Sequence, residues 1–200
     1  MPKTMPKFHR WLQKIAVPIV SAVYHLYYRL HVTGHENIPE GGCVVCPNHT
    51  SYADPPLAAV SLTWRTNIAL MAKKELFEKG GFFAHLIGWL GAFPVSRGDA
   101  DITAIKTALQ AVKDGRKLII FPQGTRDAAE GETKEGAAML AARTRAPILP
   151  VYITENKKRF GRVDVIIGKP FYPEKGSKDY AAIAEDILRR IYALNGETRA

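Results

Sequence analysis

Cysteine is scarce in this chain, acidic residues are missing up to Leu30, and no apolar run is long enough to span a bilayer. Each absence narrows what the molecule can be. The two cysteines, Cys43 and Cys46, lie three residues apart in Gly-Gly-Cys-Val-Val-Cys-Pro on an expected strand, where their side chains face opposite ways. That spacing disfavours a mutual disulfide, and no second Cys/His pair at zinc spacing follows it. The pair therefore reads as two small buried apolar residues in a reducing compartment. His31 and His35 straddle Gly34 at a strand end instead of sharing a helix face, so no metal is expected. No Gly-x-Ser-x-Gly elbow surrounds Ser51, which argues against an acyl-enzyme nucleophile. Lys/Arg blocks, low-complexity tracts, internal repeats and the RNA-recognition, homeodomain and zinc-finger patterns are also missing. For a chain of net charge +9, nucleic acid is then the weakest partner, and an anionic membrane surface or an anionic small substrate remains.

Two hundred residues, 46% of them apolar, suffice for one well-buried core and argue a single domain. The amino-terminal segment, residues 1–30, stands apart from the remaining 31–200. From Ile15 to Tyr28 it is nearly all apolar, yet it holds Pro18 and ends at Arg29, short of the ~20 residues a spanning helix needs. It also lacks a small-residue cleavage site after Val23, so a secretory signal is disfavoured. On a helical projection Arg10, Lys14, Ser21, His25 and Tyr28 make a narrow polar stripe. Trp11, Leu12, Ile15, Ile19, Val20, Val23 and Tyr27 fill a wide apolar face. An amphipathic helix lying in an anionic membrane interface is the expectation, and a helix packed on its own core is the alternative.

The rest alternates between strand and helix. Strands are expected at Leu30–Thr33, Cys43–Cys46, Ile68–Ala72, Ala92–Val95, Lys117–Phe121, Ile148–Ile153 and Val163–Ile167. Asp101–Lys113 sets Ile102, Ile105, Leu109 and Val112 on one helical face and stops at Gly115. Gly136–Arg145 and Lys178–Leu194 follow the same logic, the latter through Tyr180, Ile183, Ile187 and Ile191. This pattern predicts an α/β fold with a largely parallel central sheet flanked by helices, and an amino-terminal amphipathic membrane-interface helix in front of it. Sites in such folds gather at the carboxyl ends of strands, where His49, Arg97 and Arg126 all fall.

Two polar signatures carry the chemistry: Asn48-His49-Thr50-Ser51-Tyr52-Ala53-Asp54 and Phe121-Pro122-Gln123-Gly124-Thr125-Arg126. On a regular helix, residues five apart are turned about 140° from each other, so His49 and Asp54 cannot cooperate on a helix face. In a turn bounded by Pro47 and by Pro55-Pro56, however, the carboxylate can fold back to one ring nitrogen and leave the other to accept a proton. Asp before proline is also an ordinary helix N-cap, and both roles can hold together. In the second signature Gly124 permits a tight turn that exposes backbone N–H groups, Thr125 adds a hydroxyl, and Arg126 offers a bidentate grip on phosphate. Gly91-Ala-Phe-Pro-Val-Ser-Arg97 repeats the arrangement of a short strand followed by arginine. Lys73 and Lys74 either add positive potential to the same site or form a solvated pair opening a helix.

With these residues in hand, the chain resembles the 1-acyl-glycerol-3-phosphate acyltransferases. Asn48-His49-x4-Asp54 resembles the first motif of that family, Gly91–Arg97 the second, Phe121–Arg126 the third and Ile148-Leu-Pro-Val-Tyr152 the fourth, over about residues 28–172. The resemblance implies a peripheral enzyme at the cytoplasmic face of the membrane. It implies transfer of a fatty acyl group from acyl-CoA or acyl-ACP to the free hydroxyl of lysophosphatidic acid, with no further cofactor. By position, His49 is the implied general base and Asp54 its orienting partner. Arg97, Gly124, Thr125 and Arg126, with Lys73, are the implied phosphate contacts. Two positions depart from the family pattern: Gln123 stands where Glu is usual, and Asp127 where Ser is usual. Gln123 is therefore an expected acceptor contact that bears on headgroup choice. Competing readings are acyl transfer to a different lysophospholipid or an amino-lipid, a decayed membrane lipid-binding module, and a thioesterase using Cys46.

Overall fold

A computed structural model describes residues 8–63, 66–78, 81–96, 101–123 and 135–196. In chain order the elements are helix α1 (Arg10–Tyr27), β1 (Arg29–Thr33), β2 (Cys43–Pro47), α2 (Asp54–Ser61), β3 (Ile68–Lys73), α3 (Glu75–Glu78) and α4 (Gly81–Trp89). They continue as β4 (Ala92–Val95), α5 (Ile102–Lys113), β5 (Lys117–Ile119), α6 (Gly136–Thr144), β6 (Ile148–Ile153), β7 (Arg162–Ile167) and α7 (Tyr180–Ala193). One seven-stranded sheet runs in the order β1-β7-β6-β2-β5-β3-β4. β6, β2, β5, β3 and β4 are mutually parallel, while β7 runs antiparallel to β6 and carries β1 beside it. The carboxyl ends of five strands thus share one edge.

The pleat of β2 sorts its side chains between two apolar layers. Cys43 and Val45 pack with Leu57 and Ala58 of α2, Leu62 just after it and Val17 of α1, whereas Val44 and Cys46 pack with the alanine-rich faces of α5 and α6 and with Ile187 and Ile191 of α7. The two cysteines are free, fully buried and on opposite faces of the sheet. Burial pushes the Cys43 thiol up to about 11, and it pushes Cys46, which has no compensating cation, higher still. Neither is a thiolate near neutral pH, which removes the thioesterase reading.

Several details differ from expectation. β5 ends at Ile119, because Phe121 and Gln123 leave the ladder to line the site. In α5 the buried residues are Ala104, Ala108, Ala111 and Val112, while Ile102 is exposed. Small residues let that helix lie close to the sheet, with Val112 buried beside them and Ile105 and Leu109 packed at the margin of the same face. α3 and α4 occupy a stretch where no strong helical periodicity is visible. Lys74 opens α3 and pairs with Glu78 at 3.2 Å, which is the solvated-pair alternative for that lysine.

Helix α1 docks by a narrow stripe. The buried Gln13 side chain donates to the Ile68 and Leu90 carbonyls at 3.0 and 2.7 Å and accepts from Ile68 N–H at 2.9 Å, so both ends of its amide are engaged. Val17 and the partly buried Tyr24 and Tyr28 continue the contact toward the carboxyl edge. The opposite side of the helix carries Trp11, Ile15, Ile19, Val23 and Leu26, with Trp11 63% and Leu26 81% exposed. The helix thus packs on the core along one stripe and leaves much of its apolar face exposed. No helix among the described residues is long and apolar enough to cross a membrane. Gly91, at the start of β4, needs to be glycine: its φ is +98°, and a Cβ there would meet Ile68 O at 2.5 Å.

Candidate active site

The site forms where β2 leaves the sheet. Asn48 is buried and extends the β2–β6 pairing with its side chain, donating to Ile153 O at 2.9 Å and accepting from Ile153 N–H at 2.7 Å. With the strand exit clamped, His49 comes next at a fixed position. Its backbone N–H donates to Gln123 Oε1 at 3.0 Å, and its ring lies over Phe121 with centroids 4.2 Å apart.

Asp54 is the first residue of α2, and its carboxylate turns back over the loop instead of capping the helix. The reason is chemical: the next two residues are Pro55 and Pro56, which have no N–H groups for a cap to satisfy. Oδ2 instead accepts from the Thr50 and Ser51 amides at 2.7 and 2.6 Å and from His49 Nδ1 at 3.1 Å. The N-cap reading of Asp54 is therefore corrected, while the fold-back to the imidazole is found. Oδ1 faces Lys157 Nζ at 2.7 Å, an ion pair without well-aligned hydrogen-bond geometry, between side chains that are 0% and 3% exposed.

The carboxylate is held below its ordinary value. Burial alone would raise it, but the His49 hydrogen bond, the contact and charge of Lys157 and the Ser51 amide outweigh that. Its negative charge reaches α1 as well. Burial first, then the neighbouring phenol, then Asp54 push both Tyr24 and Tyr28 up.

With Nδ1–H donated to Asp54, His49 keeps Nε2 as its proton-accepting nitrogen, on a side chain 15% exposed. This arrangement can remove a proton from a hydroxyl and return it to a leaving group. Among the described residues no cluster of three or more His, Cys, Asp or Glu side chains offers a metal site.

Gln123, an expected acceptor contact, is engaged within the protein on both sides of its amide. Its Oε1 holds the His49 amide and its Nε2 donates to Tyr192 Oη at 3.2 Å, so it ties the turn to α7. Lys73 ends β3 at the shared carboxyl edge with its side chain exposed. Arg97, Gly124, Thr125, Arg126 and Asp127 lie outside the described residues. Lys157 is the polar partner that sequence reading missed. The signal for it was positional: it follows β6, another parallel strand ending on the same edge.

A doubly covered α/β sheet that pairs a histidine with a buried carboxylate at a central strand exit has the groups that general-base chemistry on a hydroxyl requires. The Acyltransferase family model matches residues 29–154. The chain belongs to this family and is an acyltransferase. It is 29% identical over 197 residues to the 1-acyl-sn-glycerol-3-phosphate acyltransferase of Bacillus subtilis, covering 93% of this chain and 98% of that one. The Streptococcus pneumoniae enzyme of the same name is 32% identical over 194 residues, covering 90% and 72%. The chloroplastic counterpart BAT2 of Brassica napus is 30% identical over 190 residues, and the chain spans about half of its length (52%). In three dimensions the chain resembles the crystal structure of the 1-acyl-sn-glycerophosphate (LPA) acyltransferase PlsC from Thermotoga maritima, with a TM-score of 0.69 at 25% identity, over 94% of this chain and 81% of that one.

Proposed function

We propose that this acyltransferase moves a fatty acyl group from acyl-CoA or acyl-ACP to the free hydroxyl of 1-acyl-glycerol-3-phosphate, giving phosphatidic acid. The observation that carries the reading is the His49–Asp54 contact at 3.1 Å on a carboxylate whose oxygens are both otherwise engaged. His49 Nε2 takes the hydroxyl proton as the oxygen attacks the thioester carbonyl. The tetrahedral adduct collapses, the C–S bond breaks, and the imidazolium returns the proton to the departing thiolate. Asp54 fixes the ring and its tautomer and stabilises the imidazolium. Arg97, Gly124, Thr125 and Arg126, with Lys73, supply the phosphate contacts in this scheme. A positioned base contributes ~10²–10⁴-fold, and alignment of the two substrates supplies much of the remainder.

The proposal also takes residues 1–30 as a membrane-interface segment and 31–200 as the acyltransferase domain, in a peripheral protein at the cytoplasmic face of the cell membrane. The bare apolar side of α1 supports this, as do the exposed Leu76, Phe82 and Phe83 of α3 and α4. α4 touches the start of α1 through His9 N–H to Trp89 O at 2.9 Å. An acceptor with two ends, one aliphatic and one ionic, is best met by an enzyme seated at such an interface.

The test is thioester consumption by purified protein with lysophosphatidic acid and acyl-CoA or acyl-ACP, comparing wild type with His49→Ala. Phosphatidic acid is expected from wild type, with the variant's kcat lower by about 10²-fold or more. Equal turnover by both would remove His49 as the base.

A further inference from the structure

Lys157 pairs with the carboxylate that orients the histidine, yet it lies on a different element from either. We propose that Lys157 is a positioning residue: it is the resting counter-ion of Asp54, so that the carboxylate stays ionised and fixed without drawing a proton onto His49. This inference rests on the reading of His49 as the base.

The division of labour on Asp54 carries the argument. Oδ2 serves the imidazole and the Thr50 and Ser51 amides, all within 3.1 Å, whereas Oδ1 faces Lys157 at 2.7 Å. A buried carboxylate demands a compensating charge. The Thr50 and Ser51 amides supply hydrogen bonds but no net charge, so with an imidazole as the one group able to supply it the balance would move toward a carboxylate–imidazolium pair. Such a ring has no free lone pair at Nε2 and cannot accept the substrate proton. A lysine on the other oxygen removes that demand while leaving the Nδ1 hydrogen bond in place.

Among the described residues, the other groups around the pair carry no positive charge that could take over this role. Helix α1 presents the phenols of Tyr24 and Tyr28, which are neutral near pH 7 and sit above their ordinary values. The segment after β5 presents Phe121 and Gln123, both uncharged. The loop after β6 presents, besides Lys157, the Glu155 carbonyl, which accepts from Lys157 Nζ at 3.5 Å. Lys157 is the one cation within contact of Asp54 among the described residues. Its loop is pinned on both sides: Thr154 N–H donates to Asp164 O on β7, and Phe160 N–H donates to Tyr27 O on α1. The ammonium is therefore delivered from a braced segment, with a further contact to Thr50 Oγ1 at 3.3 Å.

A merely structural ion pair would affect activity equally at every pH, whereas a counter-ion would not. The experiment compares the full-length wild type, Lys157→Met, Lys157→Arg and His49→Ala on vesicles containing lysophosphatidic acid with acyl-CoA, from about pH 6 to about pH 9. In Lys157→Met, kcat is expected to fall about tenfold or more near neutrality and to approach wild type as pH rises, with acceptor KM unchanged. This is a part of the ~10²–10⁴-fold a general base supplies. Lys157→Arg is expected to keep the wild-type pH profile. A wild-type profile in Lys157→Met, or a loss of equal size at all pH values, overturns the proposal.

A measurement on the wild type alone covers the case in which Lys157→Met does not fold. Nitrogen-15 NMR of labelled histidine near pH 7 is expected to show His49 neutral with the proton on Nδ1, and an imidazolium overturns the counter-ion role. If the wild type forms no phosphatidic acid, the acyl-transfer reading fails on its own, and the NMR result still decides the state of the pair. If the wild type turns over, His49→Ala does not, and Lys157→Met behaves as wild type, only the role of Lys157 falls.

Discussion

At the scale of single residues, the site is held by backbone amides whose acceptors are side chains, so its stability and its activity are linked. Gln123→Leu removes the acceptor of the His49 N–H and is expected to cost about 1–3 kcal/mol in denaturant unfolding, with a lower kcat from the loosened ring. Gln123→Glu keeps an acceptor for that amide and loses the donor to Tyr192 Oη. It is expected to stay within about 1 kcal/mol of wild type, and a larger loss would show that the neutral amide is required. Asp54 sets the acid limit. Because its folded value is depressed, the stabilisation it supplies is complete above its unfolded value of about 3.9 and is lost as pH falls through the folded value. Thermal melts of wild type should therefore fall steeply below about pH 4, and Asp54→Asn, already without that charge, should show a shallower decline. His49 and Asp54 were legible because prolines bound their turn and a motif flanks them. Lys157 was not, because in Lys157-Lys158-Arg159 it looks like any solvated basic run, and only the ending of β6 beside β2 shows which of the three turns inward. Gln13 was hidden in the same way, as a polar residue in an apolar helix whose partners lie 55 and 77 residues away.

At the scale of elements, ends matter as much as faces. Asp101 caps α5 by accepting from Ala104 N–H at 2.9 Å, and with its other oxygen it accepts from Ser96 N–H at 3.0 Å, tying the exit of β4 to that helix. Asp101→Ala is expected to cost about 0.5–2 kcal/mol in chemical denaturation, toward the upper end because two amides lose their acceptor. For α1, deleting the helix is a poor test of membrane binding, since Gln13, Val17 and Tyr24 would leave the core with it. Substituting the bare side alone avoids this. Burying a large apolar side chain is worth ~1.5–3 kcal/mol, so even a third of that from Trp11, Ile15, Ile19 and Leu26 gives ~2–4 kcal/mol. Changing all four to Ser should lower vesicle binding about thirtyfold or more while leaving the melting temperature nearly unchanged. Unchanged binding would assign that face to something other than lipid. The periodicity of α1 and of α7 was visible because large apolar residues marked it. In α5 the expected Val112, Ile105 and Leu109 do face the core, but three alanines share that face, a signal that hydrophobic patterning undervalues.

At the scale of the whole molecule, alternation of strand and helix was enough to place the site at one edge of a largely parallel sheet. The antiparallel turn of β7 was not visible, because a short polar loop between two apolar runs does not declare direction without the sheet that receives it. Overall charge makes a separate contribution. The chain carries a formal +9, and no acidic residue occurs up to Leu30, so an anionic surface attracts the face that α1 presents. Attraction of this kind is screened: the Debye length shrinks from about 8 Å at physiological salt to about 3 Å at 1 M. Apolar insertion is not weakened by salt in the same way, so the two contributions can be separated on the intact protein. Co-sedimentation with anionic vesicles should fall as salt is raised to about 1 M, then level at the binding seen with neutral vesicles. The Ser-substituted α1 should bind anionic vesicles weakly at low salt and neutral vesicles hardly at all. Full salt-insensitivity of the wild type would mean that apolar contact alone holds it. Complete release at high salt would mean that the bare face of α1 is not inserted, and that the enzyme reaches its acceptor from a purely electrostatic perch.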